Sequence, residues 1–382
     1  MIDQTFAIKT LQALVKINSV NPGLDETGPG EREIGTYIFN LLKELGIEAE
    51  LDEVAPGRVN VTGRIKGDSG GKTLMLNAHM DTVGVSGMEN PFSGRIEDGK
   101  LYGRGAYDMK GSIAAILAAA KFIQDNRITF GGDLILSFVA DEEHESIGAQ
   151  ALVQKLNADA AIVTEPTGLN LCLAHRGFGI FKITTQGKTA HGGNHMLGTD
   201  ANLKMGLLLT ELSKLSHNLP KERKHALCGD ASMHVPLING GRSLFVYSHE
   251  CTIHVERRTL PGETEKMIES ELLQAIKKVQ QANPGFKAEM EPVIWRSPYE
   301  VYSKAPVVVD LKEVAGSVLG RTPLTIGHTW WEDSAIFGEA GIDCAIIGPK
   351  GGGIHEDIEW VETESVVKLA EILYGTAERF CR

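Results

Sequence analysis

Two short polar segments of this chain combine histidine and carboxylate side chains immediately after apolar runs. His79 and Asp81 follow one such run, and Glu142 and Glu143 follow another, at residues 134–139. Imidazole and carboxylate groups together suit divalent metals such as zinc. In open α/β sheets, binding sites lie beyond the carboxyl ends of the strands. The two segments therefore predict a hydrolytic site that holds two metal ions.

A glycine-rich segment between the two supplies a third carboxylate. Asp108 follows Gly103 and Gly105 and precedes Gly111. Glycine permits close packing of the backbone, and a carboxylate has two oxygens with which it can bridge two metals. The alternative is that Asp108 caps the amino terminus of the Ala-rich helix that follows. Taken alone, this segment favours the cap.

The spacing within each polar segment indicates a division of roles. On an extended backbone His79 and Asp81 point to the same side, so Asp81 can orient the imidazole of a metal-bound His79. Adjacent side chains such as Glu142 and Glu143 diverge, so that one can bind metal while the other acts as general base toward a metal-bound water. The alternatives are a loop histidine beside a surface aspartate, and a charged exposed loop.

Four further residues are candidates with ordinary alternatives. Glu165 ends an apolar strand pattern at residues 160–163, and His355 lies in a glycine-rich segment near the end of the chain. His191 precedes two glycines. Arg258 could bind a substrate carboxylate through two hydrogen bonds. Each of the four, considered alone, is better explained as a structural or surface residue.

The apolar patterns that must position these residues change character along the chain. Up to residue 163, strand and helix patterns alternate, which is typical of a mostly parallel sheet covered by helices. Residues 178–186 instead alternate apolar and polar side chains, as a half-exposed antiparallel strand does. Later strand patterns at 231–237 and 244–256, together with two helix patterns, indicate a small α+β sandwich.

These patterns predict one α/β domain interrupted by an insertion. We expect residues 1–176 and 293–382 to form the metal-binding catalytic domain, and residues 177–292 to form the inserted α+β domain. A length of 382 residues is consistent with two domains.

Composition limits the compartment and the partners. The hydrophobic fraction is 42%, the charged fraction 23% and the formal net charge −12, and no basic run favours nucleic acid as a partner. No apolar run approaches the roughly 20 residues of a membrane span, and the first residues lack a signal-peptide pattern. The five cysteines form no CxxC pair, which favours a reducing compartment. We therefore expect a cytoplasmic protein without a membrane or nucleic-acid partner.

Taken together, the ordered segments resemble the metallopeptidase family of acetylornithine deacetylase, succinyl-diaminopimelate desuccinylase, aminoacylase and bacterial glutamate carboxypeptidase. The resemblance extends over nearly the whole chain. It implies that His79 and Glu165 bind one metal, that Glu143 and His355 bind the other, and that Asp108 bridges the two. The metals implied are two divalent ions, most simply zinc, with cobalt or manganese as alternatives.

The resemblance also implies the remaining roles. Asp81 would orient His79, and Glu142 would be the general base and acid. His191 would help to hold the oxyanion across a homodimer formed by the inserted domains, which would act as lid and dimerisation domains. Arg258 would bind the substrate carboxylate. The peptide bond after Asp108 is expected to be cis.

The expected reaction is hydrolysis of the amide of an N-acyl amino acid, as in a deacetylase or desuccinylase, through a metal-bridging water. Alternatives are a dipeptidase or carboxypeptidase of the same family, acting on a short peptide, and a non-catalytic amino-acid-binding relative. Two segments depart from the family pattern, at Gly240–Ser248 and Trp330–Ser334. Both lie where substrate side chains would be recognised, so the chemistry is predicted more sharply than the substrate.

Overall fold

The computed structural model describes residues 1–382, and the internal contacts divide the chain into two compact units. The first unit contains Met1–Leu173, Val301–Ile326 and Glu332–Arg382. The second contains Ala174–Glu300 and Gly327–Trp331. The second unit is therefore mainly one continuous insertion in the sequence of the first.

The chain forms nine α-helices and nineteen strands. The helices are α1 Gln4–Lys16, α2 Arg32–Glu44, α3 Gly111–Asp125, α4 Ile147–Leu152, α5 Ala201–Glu222, α6 Glu265–Ala282, α7 Pro306–Leu319, α8 Ser334–Glu339 and α9 Thr363–Phe380. The strands up to the start of the second unit are β1 Glu48–Ala55, β2 Arg58–Ile65, β3 Leu74–His79, β4 Arg95–Glu97, β5 Lys100–Tyr102, β6 Leu134–Val139, β7 Ala160–Val163 and β8 Leu171–His175. The later strands are β9 Gly177–Gln186, β10 Lys224–His225, β11 Gly229–Asp230, β12 Ser232–Gly240, β13 Glu250–Thr259, β14 Ala288–Arg296, β15 Tyr299–Glu300, β16 Thr325–His328, β17 Asp343–Ile346, β18 Gly351–Gly352 and β19 Trp360–Glu362.

The main sheet of the first unit has a parallel centre. Its strand order is β1-β2-β6-β3-β7-β17, followed by β8. The pairs β6–β3, β3–β7 and β7–β17 are parallel, whereas β1–β2 and β2–β6 are antiparallel. All residues of β3, β6 and β7 are buried, as expected for strands covered on both faces. The predicted α/β fold class is confirmed.

The helices of this unit bury the faces that their sequences indicate. In α2, Ile34, Ile38 and Leu42 recur every four residues and are fully buried, which is the spacing of one helix face. α3 is apolar on nearly every side and almost entirely buried, and it packs against α1 and α9. α3 begins directly after the glycine-rich segment, so its burial fixes that segment against the core.

The second unit is an antiparallel sheet with two helices. The strand order is β12-β13-β9-β14, and one hydrophobic cluster joins side chains from the strands to side chains from α5 and α6. β9 alternates buried and partly buried residues along its whole length, which confirms the predicted half-exposed strand. This arrangement confirms the predicted α+β architecture.

Two boundaries in the second unit differ from the sequence-based expectation. The strand expected from residue 244 begins only at Glu250, because Leu244 and Phe245 lie exposed in a loop rather than in the sheet. The strand β14 and the residues up to Glu300 belong to the second unit, since β14 pairs with β9 as far as Arg296. Apolar alternation alone therefore placed one strand too early.

Candidate metal centre

The carboxyl ends of three neighbouring strands supply most of the candidate residues. His79 is the last residue of β3, Glu142 and Glu143 follow shortly after β6, and Glu165 follows β7. Because these three strands are adjacent and parallel, their ends lie at one edge of the sheet. His79 and Glu165 are buried, whereas Glu142 and Glu143 are partly buried.

A first group of potential ligands forms around His79. Its Nε2 lies 3.1 Å from Oδ1 of Asp108 and 3.6 Å from Oε1 of Glu165. Its Nδ1 lies 3.0 Å from the backbone oxygen of Asp81 and 3.5 Å from Oδ1 of the same residue. Asp81 therefore lies where it could orient the imidazole, and its backbone carbonyl is closer to Nδ1 than its carboxylate is.

A second group forms around His355. Its Nε2 lies 3.1 Å from Oε1 of Glu143 and 3.2 Å from Oδ2 of Asp108. Within each group, the potential ligand atoms all lie within 4.8 Å of one another. Asp108 is common to both groups, and its two oxygens face different histidines, one toward His79 and the other toward His355.

The glycine-rich segment presents Asp108 without using it as a helix cap. α3 begins at Gly111, its N-cap is Lys110, and no side chain caps it. The alternative assignment of Asp108 as an N-cap is therefore wrong. Gly105 adopts a φ of 77°, a conformation that glycine adopts readily. The peptide bond from Asp108 to Met109 is cis, as expected.

Glu142 lies beside these groups but belongs to neither. Its backbone N–H donates to Oδ1 of Asp81 at 3.1 Å, and that of Glu143 donates to Oδ2 at 3.1 Å. Burial, together with the negative charges of Glu165 and other nearby carboxylates, raises the pKa of Glu142 well above its usual range. A carboxyl group with a raised pKa is suited to taking up and returning a proton near neutral pH.

The electrostatics of the groups fit a cation. Burial and the charge of Asp108 raise the pKa of both Glu165 and Glu143. The carboxylates of Asp108 and Glu143 raise the pKa of His355 to about 10. Carboxylates outnumber imidazoles in the two groups, and every member except His355 is buried or partly buried. Buried charges are found paired or coordinated to metals. The donor set of imidazole nitrogens and carboxylate oxygens suits zinc and similar divalent ions.

A buried polar network is connected to Asp81 and was not predicted from the sequence. Asn21 Nδ2 donates to Oδ2 of Asp81 at 2.7 Å and to Oδ1 of Asp141 at 2.9 Å. Arg58 binds Asp141 at 2.8 Å and both carboxylate oxygens of Glu31, at 2.5 and 2.6 Å. These residues are far apart in sequence and form no motif, so no local signal could have revealed them.

The two remaining candidates lie in the second unit. Arg258 is partly exposed; its guanidinium bonds to Glu256 and lies 5.1 Å from the centre of the Phe178 ring. His191 is exposed in a loop, and its Nδ1 accepts a hydrogen bond of 3.1 Å from the N–H of Gly193. The metal-centre residues and these two are therefore contributed by different units.

Comparison with known proteins decides the family. Residues 75–379 match the pattern described as peptidase family M20/M25/M40. The chain belongs to this family. Over 369 residues it is 26% identical to N-formyl-4-amino-5-aminomethyl-2-methylpyrimidine deformylase of Bacillus subtilis, a match that covers 88% of this chain and 86% of that protein.

Solved structures share the fold at low identity. Aminopeptidase PepT from Bacillus cereus superposes with a TM-score of 0.82 at 20% identity, covering all of both chains. The YXEP protein of Bacillus subtilis, described as a dinuclear metal-binding peptidase of the M20 family, gives 0.76 at 16% identity, with 99% and 98% of the two chains covered. As an M20 protein, the chain is a metal-dependent hydrolase of amide or peptide bonds. None of the nine helices combines the length with the apolar character that a membrane-spanning segment requires.

Proposed function

We propose that this M20 protein hydrolyses the amide bond of an N-acyl amino acid at a centre of two zinc ions. The observation that carries the proposal is the position of Asp108 between two ligand groups, with Glu142 left outside both. His79 and Glu165 would hold one ion, Glu143 and His355 the other, and Asp108 both. Cobalt or manganese could replace zinc, because the same donors accept them.

The roles of the chain's own residues follow from this arrangement. When bound, the two ions would polarise the scissile carbonyl and increase the acidity of water. The carboxylate of Glu142 would take a proton from the attacking water and deliver it to the leaving nitrogen. Asp81 would keep both Glu142 and His79 in place, since it bonds to the backbone of the first and to the ring of the second.

Substrate binding is proposed for the second unit. Arg258 has a partly exposed guanidinium, whereas its neighbour Arg257 is buried in ion pairs with Glu263 and Glu271. Arg258 is therefore the one of the two that could exchange its present partner for the α-carboxylate of a substrate. His191 would donate a hydrogen bond to the oxyanion of the substrate bound by a second copy of the chain.

A homodimer through the inserted domain, residues 177–292, is part of the same proposal. β12 is an edge strand of its sheet, and Leu237 and Ile238 on it are about 60% exposed. Leu203 on α5 is also exposed. A free edge with apolar side chains tends to pair with another chain, and a second copy is the commonest partner for such a surface.

The cysteines support a reducing compartment, the cytoplasm, as the place of action. No disulfide joins the five cysteines, and all five are buried. Secreted proteins more often use their cysteines in disulfides.

Two other functions remain as alternatives. A dipeptidase, tripeptidase or carboxypeptidase activity is favoured by similar structures that are described as a tripeptidase from Staphylococcus aureus and a metallo-carboxypeptidase from Sulfolobus solfataricus. The deformylase relative instead removes an acyl group, which favours the deacylase. A non-catalytic amino-acid-binding role is disfavoured, because all five ligand positions and Glu142 are occupied by residues that can perform the chemistry.

A substrate panel with controlled metal content tests the proposal. Metal-depleted protein would be reloaded with Zn²⁺, Co²⁺ or Mn²⁺ and incubated with N-formyl, N-acetyl and N-succinyl amino acids, dipeptides and tripeptides, and the released amine would be measured. We expect N-acyl amino acids to be cleaved only by the reloaded protein. Glu142→Gln serves as the inactive control, and Glu145→Gln, an exposed neighbour, as the matched active one. Cleavage of peptides alone would favour the second candidate, and binding of two metals without any turnover would favour the third.

A further inference from the structure

Glu359 is a buried carboxylate whose two oxygens are both fully used. Oε1 accepts hydrogen bonds from the backbone N–H groups of Tyr107 at 2.8 Å and Asp108 at 3.0 Å. Oε2 accepts one from the N–H of Gly105 at 2.9 Å and one from Nη1 of Arg104 at 2.8 Å. The side chain of Glu359 is 1% exposed. It therefore fixes the backbone that presents Asp108.

Arg104 extends the same contact to the segment that carries His355. Its Nη2 donates to the backbone oxygen of Glu356 at 3.1 Å, and its Nε donates to the backbone oxygen of Gly84 at 3.0 Å. Glu356 is the residue after His355. One guanidinium therefore bonds at once to Glu359, to the neighbour of His355 and to a third segment.

Strand pairing holds the other side of this contact. β5 and β19 pair antiparallel, with Tyr102 opposite Trp360, and the N–H of Gly103 donates to the backbone oxygen of Glu359 at 3.1 Å. The segment before Asp108 and the segment after His355 are thus joined along their length. The first of these segments leads to Asp108 and the second starts from His355, and both residues belong to the second ligand group.

We propose that Glu359 and Arg104 are positioning residues that hold Asp108 and His355 in register, so that the second ligand group keeps the geometry needed to bind a metal. The proposal rests on the metal centre of the proposed function. Neither residue is among the potential ligands in either group. Both act on the metal through the ligands that they hold.

A substitution that preserves shape separates this role from simple packing. Glu359→Gln keeps the size of the side chain but replaces one carboxylate oxygen with an amide NH₂. Because each oxygen accepts two donors, the new NH₂ group must face N–H groups whichever way the amide is turned. Residues that support metal ligands typically change metal affinity by about 10- to 100-fold when they are substituted, and we expect a loss of that size for one of two metals.

The matched control is Glu263→Gln in the second unit. Glu263 is also buried, and it also accepts from an arginine, Arg257 at 2.7 Å, and from a backbone N–H, that of Leu260 at 2.9 Å. Glu263→Gln should lower the melting temperature by about as much as Glu359→Gln does. It lies in a different unit from the metal ligands, so the metal affinity should stay that of the wild type.

The experiment is a titration of metal-free full-length protein with Co²⁺, followed by visible absorption and calorimetry, alongside thermal unfolding without metal. We expect two equivalents bound by the wild type and by Glu263→Gln, and a second equivalent bound about 10- to 100-fold more weakly by Glu359→Gln. Arg104→Lys keeps the charge but cannot reach three partners, and it should weaken the same equivalent. This variant provides the test if Glu359→Gln does not fold.

The outcomes distinguish this inference from the proposed function. Two equivalents bound with unchanged affinity by Glu359→Gln or Arg104→Lys would overturn the positioning role and leave the metal centre standing. An equal loss of affinity in Glu263→Gln would also overturn it, because the effect would then follow stability alone. A wild type that takes up no Co²⁺ would overturn the metal centre and the positioning role together.

Discussion

Replacing Arg58 with methionine should lower the free energy of unfolding of the first unit, and the ion pairs of Arg58 allow the size of this loss to be estimated. Arg58 is 12% exposed and holds Glu31 through two hydrogen bonds and Asp141 through one. The carboxylates of Glu31 and Asp141 are essentially inaccessible to solvent. Arg58→Met fills a similar volume but leaves both carboxylates without their cation.

The expected loss follows from the partners that remain. Asp141 keeps its hydrogen bond from Asn21, so most of the loss comes from Glu31. Removing one partner of a buried ion pair typically costs about 3–5 kcal/mol, and a whole domain is stable by only about 5–15 kcal/mol. We therefore expect Arg58→Met to lose about 3–5 kcal/mol in the free energy of unfolding. Adding Glu31→Gln should restore most of it, because no uncompensated charge then remains at that position.

The pH dependence has a definite sign. Burial raises the pKa of Glu31 above its usual value, and the hydrogen bond and charge of Arg58 oppose that rise. Without Arg58 the pKa in the folded state rises further above the unfolded value of about 4.3. The folded variant then binds more protons than the unfolded chain between these two pKa values, so its stability falls as pH rises through this window. The loss in free energy of unfolding caused by Arg58→Met should therefore become smaller as the pH is lowered toward the pKa of Glu31 in the unfolded chain.

Hydrogen exchange of the amides in β2 and β6, measured by mass spectrometry under increasing urea, reports on this unit specifically. The control is Arg32→Met, whose ion pair with Glu53 is about half exposed on both sides and should matter little. If Arg58→Met were no less stable than Arg32→Met, or if its deficit grew on acidification, the ion-pair argument would be refuted.

Four further predictions concern catalysis and assembly. Glu142→Gln should reduce turnover by about 100- to 10,000-fold with metal content unchanged; a rate above a tenth of wild type contradicts the assigned role. Arg258→Lys should lower kcat/KM more for substrates with a free α-carboxylate than for amidated ones, since lysine lacks the bidentate fork; equal losses would indicate a structural role. His191→Ala should lose about 100- to 1,000-fold in turnover and recover in part when mixed with Glu142→Gln; no recovery after verified subunit exchange rules out a site shared between subunits. Ile238→Lys should give monomers in sedimentation, whereas Met267→Lys on α6 should not; a dimer that survives Ile238→Lys argues against the β12 interface.

Much of the secondary structure of the first unit could be predicted, because it follows from patterns among residues that are close in the sequence. The strand at residues 160–163 and the buried helix α3 follow from runs of apolar residues, and polar residues at strand ends indicated His79 and Glu143. The metal-bridging role proposed for Asp108 was harder to infer from the sequence. Its position before an Ala-rich helix is also that of a cap, and only the ordered set of motifs favoured a metal ligand.

The supporting residues could not be predicted, for a physical reason. Glu359 bonds to backbone groups about 250 positions earlier in the chain, and Arg58 bonds to Asp141 across 83 positions. A buried charge needs a partner, but the sequence does not indicate which one. In the second unit, Leu244 and Phe245 fit a strand pattern and yet lie in a loop, because sheet pairing, rather than alternation alone, decides where a strand begins.

The Arg58–Glu31 pair and the Arg104–Glu359 pair both place charged groups in the protein interior, where burial of a charge is unfavourable. Glu31 and Glu359 are buried carboxylates, and burial is the largest influence that raises the pKa of each. Pairing them with Arg58 and Arg104 offsets this cost, but apolar residues of similar volume are often as stabilising as a buried ion pair. Stability alone therefore does not account for these pairs. What they share is their placement, since Arg58 is linked to Asp81 through Asp141 and Asn21, and Glu359 bonds to the backbone of Asp108. Replacing Arg58 and Glu31 together with apolar residues should therefore leave a folded protein that binds metal poorly. The same replacement of Arg104 and Glu359 would also cost stability, because the backbone N–H groups of Gly105, Tyr107 and Asp108 would lose their acceptor.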